Sequence, residues 1–269
     1  MNALSTRKLS NLKVALVYDR INKWGGAERV LLALHEIFPY ASIFTSVYDS
    51  KKASWANVFP DIKTSFLQKI KFARSNHEFF APLMPLVFES FDFSDFDFVI
   101  SVTSEAAKGI KTSKKTLHIC YCLTPTRYLW SHYDEYFKGQ SFKTIAEPEV
   151  KYLRKWDKIA AKRPDKIIAI STEVKKRIKK YYDRDSVIIF PPVNKLQTNP
   201  KSQKSKNRYF LIVSRLVKYK KVDLAIETFN KLGLPLVVVG TGREEGKFKK
   251  IAKKNIKFAG MVNEKKLIE

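Results

Sequence analysis

The chain has 269 residues, which suits one large domain or two smaller ones. It is 45% hydrophobic and 13% aromatic, enough to build a core and too apolar for a disordered chain. Its formal charge is +25, with 18 Lys and Arg against 6 Asp and Glu from residue 200 onward. That field favours nucleotide phosphates, anionic lipid or nucleic acid, although a general preference for Lys would leave every surface basic in the same way.

The segment Met1–Leu12 lacks the apolar centre of a signal peptide, and no run reaches the roughly 20 apolar residues of a membrane-spanning helix. The expectation is a cytoplasmic protein, at most peripheral at the inner face of a membrane. Cys120 and Cys122 sit two apart on an apolar run and would face one side as small buried hydrophobes. The four histidines show no metal-ligand spacing, so no metal is expected.

In chain order, Lys13–Tyr18 (KVALVY) reads as a first strand. Gly25 and Gly26 follow, then Glu28 and a helix with Val30, Leu31, Leu34, Ile37 and Phe38 on one face, ended by Pro39. Strand, glycine pair and helix bring backbone N–H groups close to an anion; a tight turn that needs glycine would look the same. Ala41–Val47 and Asp61–Thr64 read as further strands. The aromatic stretch Phe66–Phe91, broken by prolines, reads as helix, break, helix. Its rings suit a core, or else an exposed acceptor or membrane surface. Phe96–Val102 and Thr116–Cys122 are strands, the first followed by Ser104 and the second by Arg127. An amphipathic helix over Thr144–Arg163, a strand at Lys166–Ile170, a helix capped by Ser171 and a strand at Ser186–Phe190 complete the first part.

Residues 195–207 (KLQTNPKSQKSKN) carry almost no apolar content and read as a linker between a domain over 1–194 and a second over 208–269. The second begins with an apolar run, Tyr209–Ser214, expected as a buried strand. Arg215, Lys218, Lys220 and Lys221 come next, then a helix from Val222. Positive side chains oppose the dipole at a helix start, so an anion would account for them. A solvated basic loop remains the alternative. Pro235–Val239, a turn with Gly240 and Gly242, a basic helix to Lys254 and a strand at Ile256–Ala259 follow. Strands alternating with helices predict an α/β protein with doubly wound parallel sheets, whose sites lie at the carboxyl ends of the strands.

The run SRLVKYKKVDLAIETFNKLGLPLVVVGTGRE, from Ser214, resembles the donor-domain signature of glycosyltransferase family 4, the retaining GT-B enzymes. YDRINKWGGAERVL resembles that family's glycine loop, and LTPTRYLW a segment of its bacterial mannosyltransferase-like members. The resemblance implies a GT-B fold of two Rossmann-like domains, and a nucleotide-diphosphate sugar as co-substrate in the cleft. It implies transfer of a hexose such as mannose, with retention, to a glycan or lipid-linked acceptor in polysaccharide biosynthesis. Arg215 and Lys220 would neutralise the leaving diphosphate. Gly240, Gly242, Phe258, Gly260 and Met261 would meet the donor. Gly25, Gly26, Glu28, Ser104 and Arg127 would form the acceptor or phosphate loops. No metal and no nucleic acid are implied, and peripheral contact with an anionic membrane is compatible.

Two departures from the family pattern stand out. Leu123 occupies the place of the histidine in the family's CHTP version of the segment. The family's Glu-x7-Glu motif would lie beyond Glu269, so the second domain is expected to be incomplete: a fragment, or a unit that a partner completes. The contrasting reading is an α/β nucleic-acid binder using the basic helices 173–182 and 247–254.

Overall fold

The computed structural model describes residues 12–75, 77–137, 143–193, 208–263 and 267. The chain divides into two compact units, Met1–Val193 and Asn194–Glu269. The predicted linker, 195–207, lies outside the described residues.

The first unit carries a parallel sheet in the order β3-β2-β1-β4-β5-β6-β7. Its strands are β1 (Val14–Tyr18), β2 (Ser42–Thr45), β3 (Ile62–Thr64), β4 (Phe98–Thr103), β5 (Leu117–Cys122), β6 (Lys166–Ala169) and β7 (Val187–Ile188). The helices are α1 (Gly26–Ile37), α2 (Lys71–Ser75), α3 (Met84–Glu89), α4 (Tyr133–Phe137), α5 (Lys143–Ala160) and α6 (Thr172–Tyr182). Strand β1 is buried on both faces. Val14, Leu16 and Tyr18 join the core beneath α1, with Val30 and Leu31. Ala15 and Val17 join the opposite core with Phe44, Phe88 and Phe93. A continuous apolar run is what a central parallel strand requires, because helices cover both of its faces. Ile37, expected on the buried face of α1, is instead half exposed at the helix end. The Ser171 hydroxyl caps α6 by accepting from the Val174 N–H at 3.2 Å.

Both cysteines are buried free thiols on β5. His118 lies on the same strand, fully enclosed, with Nε2 2.8 Å from the Ser101 hydroxyl. Burial drives its pKa down from 6.5 to about 4, with Arg163 adding and Asp165 opposing. The folded pKa lies below the unfolded one, so His118 supports folding fully above about pH 6.5 and loses that support as pH falls toward 4. The loss amounts to about 3 kcal/mol at most. Urea midpoints between pH 7.5 and 4.5 should fall for the native chain and flatten for His118→Gln; parallel curves would disprove a titrating core histidine.

The aromatic stretch after β3 holds two short helices, α2 and α3, as expected, but 3-10 turns at Phe66–Lys69 and His77–Leu83 alternate with them, so it is more broken than helix, break, helix. Its rings divide between the core (Phe88) and the surface (Phe66, Phe72 and Phe79).

The second unit has a three-stranded parallel sheet in the order β10-β9-β8: β8 (Phe210–Val213), β9 (Leu236–Val239) and β10 (Ile256–Gly260). Helices α7 (Val222–Leu232) and α8 (Glu245–Ile251) cover one face through Val222, Ile226 and Phe248, against Leu236, Val238 and Ile256. The expectation of a buried β8 is corrected. This strand pairs along one edge only, with β9, and Phe210, Leu211 and Val213 are all about half exposed. Ile212 packs toward the helices and Phe210 meets Phe229 edge-on. Leu211 and Val213 point to the other face, where they stay about half exposed although Val239, the partner of Val213, is buried.

Candidate functional site

In the first unit the strand order reverses between β1 and β4, which are neighbours in the sheet although α1, β2 and β3 separate them in sequence. Such a switch point opens a crevice at the carboxyl ends of the strands. The loop after β1 and the loop after β4 meet there, joined by Asp19. Its Oδ1 accepts from the Thr103 hydroxyl at 2.7 Å and from the Ala106 and Ala107 N–H groups at 2.9 Å each. Its Oδ2 accepts from the Ser104 N–H at 2.8 Å and the Glu105 N–H at 3.1 Å. Burial, with the Glu105 carboxylate nearby, pushes the Asp19 carboxyl up; the Ala107 N–H, Thr103 and Arg20 pull it back. Arg20 closes the same junction with a 2.6 Å ion pair to Glu105.

The expected site residues of this unit sit around that junction. Gly25 and Gly26 open α1, and no side chain caps its first turn. Glu28 points inward: it is buried and accepts from the Tyr18 hydroxyl at 2.7 Å. Burial and Glu28 together raise the Tyr18 pKa. A Cβ on Gly25 would stand 3.0 Å from the Glu28 carboxylate, so the glycine and the buried acid fit one another. Ser104 is half-buried and held through its backbone on Asp19. Arg127 is half-buried after β5, in a turn where its carbonyl accepts from the Trp130 and His132 N–H groups.

Behind these loops lies a polar network that the sequence reading missed. Lys108, following β4, is buried and pairs with buried Asp157 of α5 at 2.5 Å. Asp157 also accepts from Trp130 Nε1 at 2.7 Å, the Tyr182 hydroxyl at 2.8 Å and the Thr126 hydroxyl at 3.2 Å. The Lys108 ammonium also donates to the Glu105 carbonyl and lies over the Tyr182 ring. Burial works against its charge, but Asp157 outweighs burial and holds its pKa above the ordinary value. One signal was readable: Asp157 falls in the 150-153-157-160 spacing of the apolar face of α5, an acid where a hydrophobe belongs. Lys108 and Asp19 carried no comparable mark.

In the second unit the expected donor residues gather at the carboxyl ends of three adjacent parallel strands. Arg215 follows β8, Gly240 and Gly242 follow β9, and Gly260 and Met261 end β10. The two loops after β8 and β9 are laced together. Ser214 N–H donates to the Val239 carbonyl, Leu216 N–H to Thr241 and Glu244 N–H to Leu216. A Cβ on Gly240 would lie 1.9 Å from the Ser214 carbonyl oxygen, and one on Gly242 2.1 Å from that of Leu216. Gly240 also has φ +126. Both glycines therefore let the turn press against the backbone on either side of Arg215.

Arg215 and Lys220 are exposed and share one partner. The Arg215 guanidinium donates to the Tyr219 hydroxyl at 2.7 Å, and the Lys220 ammonium sits 5.6 Å from the centre of the Tyr219 ring. Both cations stand beside the start of α7, which has no side-chain cap and is entered through Lys221 at φ +52. Phe258 packs partly into the core of the unit and carries Lys249 over its ring, whereas Met261 is exposed. On the basic helices, Arg177 pairs with Glu173, Lys179 with Asp183 and Lys249 with Glu245, so these cations face acids of their own surface. Among the described residues no cluster of His, Cys, Asp and Glu could hold a metal ion, and no helix is long and apolar enough to cross a membrane.

No protein-family model matches the chain, and no curated protein matches it either. Solved structures do. Anabaena HepE in complex with UDP and glucose is 15% identical, with a TM-score of 0.58 over 93% of this chain and 70% of HepE. The same protein in complex with UDP-glucose gives 14% and 0.56. A glycosyltransferase from Rickettsia africae is 16% identical, with a TM-score of 0.50 over 94% of this chain and 69% of that one. The parallel seven-stranded sheet, the smaller second sheet and these likenesses define the fold class as α/β of the GT-B type.

Proposed function

We propose that the chain is a hexosyltransferase of the family 4 kind, acting with retention and taking its hexose, mannose in the leading version, from a nucleotide-diphosphate sugar. The acceptor is a glycan or a lipid-linked sugar. The observation that carries this reading is the convergence of Arg215 and Lys220 on Tyr219 at the uncapped start of α7. The likeness to HepE, a protein seen with UDP and UDP-glucose, supports the same reading.

In transfer, the bond between the sugar's anomeric carbon and the diphosphate oxygen breaks, and negative charge grows on the diphosphate. Arg215 can offer a planar pair of N–H donors and Lys220 a mobile ammonium. The free N–H groups of the first turn of α7 add a fixed positive end. Charge placed where the transition state becomes negative is the most effective electrostatic help. The reading calls for no metal, because side-chain cations face the leaving group. Gly240, Gly242, Phe258, Gly260 and Met261 would line the donor. Gly25, Gly26, Ser104 and Arg127 would present the phosphate or acceptor loops, with Glu28 holding the glycine loop from within.

Thermal shifts with GDP-, UDP- and ADP-sugars identify the donor. With that donor, Arg215→Ala and Lys220→Ala should each lower turnover by about 100-fold or more. Normal transfer by both variants would refute the assignment.

A further inference from the structure

The two short helices and two 3-10 turns between β3 and β4 pack on one another and present two faces. Inward, Leu67, Ala73, Met84, Val87 and Phe88 fill the core against β1 and β2. Outward, the same segment exposes Phe66, Ile70, Phe72, Phe79, Leu83 and Leu86, with Phe79 at 74%, Leu86 at 60% and Phe72 at 54%. The rings of Phe72 and Phe79 touch, with centroids 5.8 Å apart, so these two outward side chains form a joined apolar pair. Several large apolar side chains exposed on one short segment mark an interaction surface. Lys69 and Lys71 are exposed among these residues. The segment 61–89 holds Lys63, Lys69, Lys71 and Arg74 against Asp61, Glu78 and Glu89, of which Asp61 pairs with Lys63, and Glu89 with Lys111 and Arg163.

We propose that this surface docks the protein on an anionic lipid bilayer, with the Phe and Leu side chains entering the headgroup boundary and Lys69 and Lys71 meeting lipid phosphates. Charge decides between occupants. A second copy would bring two patches rich in lysine together on chains of +25 each, and like charges repel. A bilayer rich in anionic lipid offers the opposite sign and an apolar interior at one surface, and long lysine stems can keep their ammonium groups in the phosphate layer. Large aromatic and aliphatic side chains beside lysines are the composition that interfacial attachment uses. The inference stands on the surface alone and does not depend on the transferase reading.

Vesicle flotation with the full chain tests it, without donor or acceptor present. Phosphatidylcholine vesicles containing phosphatidylglycerol should retain the protein, and pure phosphatidylcholine should retain far less. The triple variant Phe72→Ser/Phe79→Ser/Leu86→Ser should bind about tenfold less or weaker still. Lys69→Glu/Lys71→Glu should lose about tenfold as well. Both variants change exposed side chains, so unchanged melting temperatures certify folding. Failure of the native chain to bind anionic vesicles, or equal binding by the folded variants, would overturn the proposal. So would a concentration-dependent dimer abolished by the triple variant, which would make the patch a contact between copies.

Discussion

Lys108→Met destabilises the first unit by about 3–5 kcal/mol, the range for removing one partner of a buried ion pair. The change leaves the Asp157 carboxylate enclosed, with Trp130, Tyr182 and Thr126 still donating but no cation. Asp157→Leu is equally severe, since it strands the Lys108 ammonium among Tyr182 and the β5 cysteines. The double variant Lys108→Met/Asp157→Leu should recover a large part of the loss, because no charge then remains in the interior. Urea unfolding of the four chains forms a cycle. Additive losses would show that the two groups do not stabilise one another, and a loss below about 1 kcal/mol for either single variant would place the pair in solvent.

Asp19→Asn is the second large effect. The substitution keeps the size of the side chain and one oxygen, which can still accept from Thr103, Ala106 and Ala107. Its amide nitrogen then confronts the Ser104 and Glu105 N–H groups at the 2.8 and 3.1 Å where a carboxylate oxygen accepts. The half-buried Ser104 N–H then lacks its acceptor, the Glu105 N–H keeps only the Thr103 hydroxyl at 2.9 Å, and the new amide donor faces both, a cost of about 1–3 kcal/mol. Flipping the amide does not help, because the other oxygen has three donors. Asp19→Asn should therefore lower the melting temperature and speed hydrogen exchange at residues 104–107 ahead of the sheet. Native exchange in that loop would show that Asp19 does not hold it.

Much of the α/β pattern was legible because strands and helices leave different apolar periods in the chain. KVALVY reads as a strand from its short apolar run, and the structure buries five successive residues of it, as a strand covered on both faces requires. The Ser171 cap was equally plain, since a hydroxyl before a helix has one common use. The same rule misled at β8. Its apolar run is as continuous as that of β1, yet it is a half-exposed edge, because burial depends on what packs against a strand and not on its own composition.

For the site, the residue types and their place after strands could be read in advance. Arg215, Lys220, Gly240 and Gly242 follow from a strand, a loop and a helix in local order. The tertiary structure alone revealed the shared partner, Tyr219, and the reason for the glycines, a backbone contact between two loops separated by a helix and a strand. It alone revealed Asp19 and the Lys108–Asp157 pair, which join residues 84 to 88 and 49 positions apart. Composition, periodicity and capping act within a few residues, and so order, element type and basic character are written locally along the chain. Which cation meets which acid, and which loop closes on which carboxylate, depends on strands becoming neighbours across the sheet. A pairing over such distances leaves no periodic trace, because folding sets it and local spacing does not.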